Sequence, residues 1–133
     1  MSINFRGIDA TVRSTKDLAE LGKLLESFDD NLHVGHCGPM GDGFLVSLDI
    51  HQHPQDMDQT THIFCDILER MPARARQLWD GADTRTFDYG LELQGEKTAP
   101  LLICQPQTLQ RLLDLKVNVA VTVYGPTFFA DPA

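Results

Sequence analysis

Cysteine is scarce and scattered. Cys37, Cys65 and Cys104 are the only three, and no two of them form a CxxC pair. That spacing argues against a disulfide framework, and the three read as small apolar packing groups. Long hydrophobic runs are missing too. No segment approaches the ~20 apolar residues that span a bilayer. The first dozen residues alternate polar and apolar, and Asp9 interrupts them, so no signal peptide is read. The expected location is the cytoplasm. Positive charge is in short supply, with 11 Lys and Arg against 19 Asp and Glu, a formal net charge of −8. Such a balance repels phosphates and anionic lipid surfaces, which argues against nucleic acid and membrane as partners. It suits a basic partner or a cation.

Catalytic signatures are equally thin. Ser47 lies between Val46 and Leu48, so it sits in no GxSxG elbow. The glycine-rich stretch Gly38-Pro39-Met40-Gly41-Asp42-Gly43 lacks the lysine and following helix of a phosphate-binding loop. It reads as a hairpin turn. His36 and Cys37 are adjacent, and on a strand they face opposite ways, so His36 is a poor base for the thiol. Nothing here composes a catalytic set, and a non-enzymatic role is the leading expectation.

What is present is a clear pattern of elements along 133 residues, the size of one domain. Residues 3–6 and 8–12 read as one strand whose parity slips at Gly7, the mark of a β-bulge. Ser14 or Thr15 is expected to cap a helix carrying Leu18, Leu21, Leu25 and Phe28, with Lys16 and Glu20 paired on its outer side. A short strand is expected at 32–35, and strict alternation marks another through Phe44, Val46, Leu48 and Ile50. A second helix should start near Asp56 and end at Pro72, with a shorter helical turn at 73–79. Strands follow at 87–93 and 101–104, joined by a hairpin loop at 94–97. Pro106 opens a third helix bearing Leu109, Leu112 and Leu113, and Val117 to Val123 alternate as a last strand. The expected class is α+β, in the order β-α-β-β-α-β-β-α-β. About six strands should form a mixed or mostly antiparallel sheet, with helices packed on one face. Residues 126–133, with Phe128 and Phe129, form a tail expected to dock or fray.

Two groups of side chains are candidate sites. Arg70, Arg74, Arg76 and Arg85 concentrate positive charge beside Trp79, which would suit a partner surface. The alternative is a metal site. His33 and His36 precede the first hairpin turn, and His51 and His53 follow it. Imidazoles suit zinc or another late first-row metal, though the spacing matches no established zinc signature and places His33 near the middle of the facing strand. His62 lies between Asp58 and Asp66 at helical spacing, in a solvated charge ladder that ends in Arg70.

The C-terminal half carries a resemblance. His62-Ile63, Leu68-Glu69-Arg70-Met71-Pro72, Gln107-Thr108-Leu109 with Leu112, and Val119-Ala120-Val121-Thr122-Val123-Tyr124 resemble uncharacterised bacterial α+β domains of the toxin-immunity-like kind. The N-terminal half departs from that pattern, with Phe44 and Leu45 where a central-strand tryptophan would stand. The resemblance implies a small interaction domain; separately, the edge strands and Phe128-Phe129 suit a homodimer surface, so the expected partner is another protein or a second copy. The resemblance carries over no catalytic set, and no cofactor is expected.

Overall fold

The computed structural model describes residues 2–51, 56–94 and 100–125, without the side chains of residues 2, 3 and 94. The elements are β1 (Ser2–Ser14), α1 (Ala19–Phe28), β2 (Leu32–Met40), β3 (Gly43–Ile50), α2 (Met57–Leu68), α3 (Ala73–Gly81), β4 (Thr84–Gln94), α4 (Pro106–Asp114) and β5 (Asn118–Tyr124). The strands form one mixed sheet in the order β2-β3-β1-β4-β5. All neighbours are antiparallel except β4 and β5, which run parallel through α4.

The α+β class and the mixed sheet match expectation. The strand count does not: there are five strands rather than about six, and Leu101 to Cys104 form none. The reason is positional. β4 is already paired by β1 on one side and β5 on the other, so no edge remains beside it for a returning strand. Residues 101–104 instead lead into α4, and the expected hairpin loop lies mostly outside the described residues. The helical turn after Pro72 is a full helix, α3, so the order is β-α-β-β-α-α-β-α-β.

Local chemistry accounts for most boundaries. Gly7 has φ +125° and marks a register shift between β1 and β4, which confirms the bulge. β1 runs to Ser14, so neither Ser14 nor Thr15 caps α1; the Asp17 carboxylate instead accepts from the Ala19 amide. Lys16 lies outside that helix, and Glu20 pairs with Arg74. β2 extends to Met40, and the turn tightens to Gly41-Asp42, with Met40 facing Gly43. Gly41 has φ +60°, at the turn position where a side chain would be strained. Asp56 caps α2 by accepting from Gln59, and Pro106 stands in the first turn of α4.

All helices pack on one face of the sheet. Ile8, Ala10 and Val12 of β1, Val46, Leu48 and Ile50 of β3, and Phe87 and Tyr89 of β4 meet Leu21, Leu25, Phe64 and Leu68 there. Burying each such side chain contributes about 1.5–3 kcal/mol. Among the described residues no helix is long and apolar enough to cross a membrane.

The core holds one polar knot. The Thr61 hydroxyl lies 2.6 Å from the Tyr89 hydroxyl, and Cys104 Sγ lies 3.5 Å from the latter. Thr61 also donates to the Met57 carbonyl. Burial pushes the Tyr89 phenol well above its ordinary value, and pushes the nearby Cys65 thiol up to about 12 from 9.0. The unfolded chain therefore loses the Cys65 proton first as pH rises. Stability from this group is intact below about pH 9 and declines as pH climbs towards 12. Cys65→Ala is expected to be less stable at neutral pH, because of the cavity, but to lose stability less steeply over that alkaline window. Parallel stability curves for the two proteins, measured by urea unfolding, would contradict this.

Candidate functional site

The sheet face turned away from the helices is set by the other phase of each strand. Antiparallel pairing places Asp9 of β1 opposite Asp88 of β4, and His33 of β2 opposite Asp49 of β3. The β1–β3 register pairs Ala10 with Leu48. Continued by one residue, it sets Asp49 beside Asp9. A single row across four strands thus reads His33, Asp49, Asp9, Asp88. Strands lie about 4.8 Å apart, so the three carboxylates fall within roughly 10 Å.

These four side chains border one cavity of about 430 Å³, together with Arg6, Ser47 and Tyr124. Its floor is shallow for a specific reason. The bulge sets Gly7 opposite Gly90, and neither carries a side chain. Arg6, the extra residue of the bulge, reaches Glu92 at 3.3 Å. At the other rim the Thr122 hydroxyl of β5 sits 2.7 and 3.0 Å from the two Asp88 oxygens, which fixes that carboxylate. Asp9 and Asp49 are exposed and Asp88 is half-buried.

Like charges directly opposite on a sheet oppose pairing, by about 0.2–1 kcal/mol per pair. The sheet carries one such opposed pair, Asp9 and Asp88, with Asp49 next in the row. A guanidinium or ammonium group placed over the row would relieve that repulsion and gain charge-assisted hydrogen bonds. Ser47 lines the cavity without a base positioned on it in any described hydrogen bond.

The arginine group is distributed differently. Arg70 bonds Asp29 at 2.9 Å and the Asp66 carbonyl at 2.8 Å. Arg74 makes a two-pronged pair with Glu20, both contacts 2.8 Å, which lowers the Glu20 carboxyl below its ordinary value. Arg76 binds Asp80 and the Asp114 carbonyl. Arg85 is buried and donates to the carbonyls of Trp79, Ala82 and Lys116. Trp79 is 1% exposed, with its ring N–H on the Leu115 carbonyl at 2.8 Å. Each has a partner within the chain: Arg70 joins the ends of α2 and α1, Arg74 and Arg76 join α3 to α1 and α4, and Arg85 of β4 holds the end of α3 and the turn before β5.

Among the histidines, a second bulge at Gly35 puts His36 opposite Ser47, on the same face as His33 opposite Asp49. His33 stands near the end of β3 rather than opposite its middle, so its ring comes within 6.1 Å of the His51 ring. His53 lies outside the described residues. Among the described residues no three His, Cys, Asp or Glu side chains converge in a metal-binding cluster. Cys37 faces the helices, with Sγ 3.7 Å from the Leu18 carbonyl, opposite in direction to His36 as its position requires.

The ladder on α2 has a partner that its spacing does not reveal. His62 Nδ1 accepts from Arg111 of α4 at 2.7 Å, and His62 Nε2 lies 2.8 Å from the Thr108 hydroxyl. Arg111 also bonds Asp66 at 2.5 Å and Glu69 at 2.8 Å. Thus α4 locks onto α2, and the hydrogen bonds to Glu69 raise the Arg111 guanidinium still further above its ordinary value.

No protein-family model matches the chain, and no curated protein or solved structure matches it significantly.

Proposed function

We propose that this protein is a non-enzymatic protein-binding domain, immunity-like in role, whose recognition surface is the open face of the sheet. The partner presents arginine or lysine side chains to the row formed by Asp9, Asp49 and Asp88. The observation that carries this reading is the row itself. Three carboxylates from three different strands border one cavity, where a cationic group would meet all of them. The net charge of −8 supports the same reading, because it steers a basic partner inward. The intramolecular engagement of Arg70, Arg74, Arg76 and Arg85 favours this face over theirs.

A short arginine-rich peptide serves as the probe. Calorimetric titration is expected to show binding at low salt that weakens about tenfold as salt rises from 50 to 200 mM, because exposed charges are screened. Absence of binding at low salt, or binding indifferent to salt, would contradict the reading.

A further inference from the structure

The two edges of the sheet differ. β2 has a bulge at Gly35 and carries Pro39. One of its backbone amides, that of Val34, is taken by the Glu26 side chain at 2.6 Å. These are devices that stop a strand from pairing with another chain. β5, at the opposite edge, has none of them. Its sequence Asn118–Tyr124 contains no proline, no charge and no glycine, and no register shift interrupts its pairing with β4. Among the described residues no strand lies on its outer side.

Among the described residues, five of the eight exposed large apolar side chains lie at the same corner. Val119, Val121 and Val123 share the helix side of the sheet with Phe87, Tyr89 and Leu91, yet they remain 43%, 42% and 54% exposed. Leu109 and Leu113 of α4 are 45% and 68% exposed. Arg111 points from α4 towards α2, through His62, Asp66 and Glu69. Leu109 and Leu113 stand well round the helix from it, at ~100° per residue, and so face the β5 side. The five side chains offer an apolar surface on the order of 400 Å², about half of what each partner buries in a standard interface before strand edge and rim are added.

We infer that β5 and the outer side of α4 form a homodimer interface, in which β5 pairs antiparallel with β5 of a second copy. The occupant follows from self-complementarity. A two-fold axis normal to the sheet keeps the helices of both copies on one side. Opposed residues must then share a face, so valine meets valine in any allowed register. The strand carries no charge, so two molecules each of net charge −8 meet there without opposing like charges in the ladder. The product is one continuous sheet, and its open face carries two aspartate rows. Asp88 and its symmetry mate stand three strand spacings apart, about 14 Å.

The test is the mass in solution of the full chain, by light scattering between about 5 and 100 µM at 0.15 M salt. One chain weighs 14.9 kDa, and a species of twice that mass is expected. Val121→Lys places a charge on the apolar side of the shared ladder and is expected to give a folded monomer. Leu113→Lys, on the helix surface, is expected to do the same without touching the strand, and it decides the matter if V121K fails to fold. A wild-type monomer throughout the range overturns the inference. So does a dimer that persists in folded V121K, or, where V121K does not fold, one that persists in Leu113→Lys.

Discussion

Asparagine in place of Asp9, Asp49 and Asp88 together is expected to weaken binding of an arginine-rich peptide by roughly 30- to 150-fold, and to raise the melting temperature. Asparagine keeps the size of aspartate and an oxygen acceptor, so packing and the bond from Thr122 at position 88 survive. What disappears is charge. Exposed to half-buried carboxylates each contribute about 0.7–1 kcal/mol to a cationic ligand, which sums to about 2–3 kcal/mol over three. The fold gains at the same time, because Asp9 no longer opposes Asp88 across β1 and β4. Relief of that opposed pair amounts to about 0.2–1 kcal/mol, or about 1–4 °C in a chain of this size. The opposite signs are the informative part. A merely solubilising acidic surface would give neither the affinity loss nor its dependence on these three positions. Affinity unchanged within twofold, or a lower melting temperature, would argue against the row as a recognition site.

Arg85→Ala is expected to destabilise the protein by about 3 kcal/mol, with no rescue by lysine. The guanidinium Nε donates to the Lys116 carbonyl, and one terminal nitrogen donates to those of Trp79 and Ala82. It thereby ties the end of α3 to the turn between α4 and β5. Removing it strands buried carbonyls, each costing about 1–3 kcal/mol where water does not replace the donor. A lysine nitrogen is a single point and cannot span acceptors that Arg85 reaches from two atoms. In a domain whose total stability is about 5–15 kcal/mol this is a large fraction. Arg70→Ala is the control. Its side chain is 64% exposed in its pair with Asp29, and its loss should matter by less than about 0.5 kcal/mol. Urea unfolding of the three variants measures the contrast. Equal, small effects for Arg85 and Arg70 would refute the fastening role.

Period and punctuation made much of the architecture readable beforehand. The parity slip at Gly7, the cap at Asp56 and the proline at the head of α4 are local events, with causes inside a few residues, whereas α2 stops at Leu68, short of Pro72, which stands instead at the head of α3. Other features depend on the partner across the sheet. Leu101 to Cys104 has the composition of a strand but finds no free edge beside β4. A turn spanning Gly38 to Gly43 sets His33 nearer the middle of the facing strand; tightening at Gly41-Asp42, together with the bulge at Gly35, sets it opposite Asp49. The aspartate row was invisible for the same reason. Asp9, Asp49 and Asp88 are far apart in the chain and meet only through three registers, although each occupies the polar phase of an alternating strand. Arg85 and Trp79 illustrate the converse limit. A charged side chain beside an aromatic reads as a surface pair, whereas here both are buried and bonded to backbone carbonyls.

The central claim is that a cationic partner lands on the open face, and amide chemical-shift mapping tests where it lands. Titration of the ¹⁵N-labelled protein with the arginine-rich peptide should move the amides of Asp9, Ser47, Asp49, Asp88 and Thr122 together, with one common affinity. Shifts concentrated instead on α1 and α3, with the row unmoved at saturation, would contradict the account.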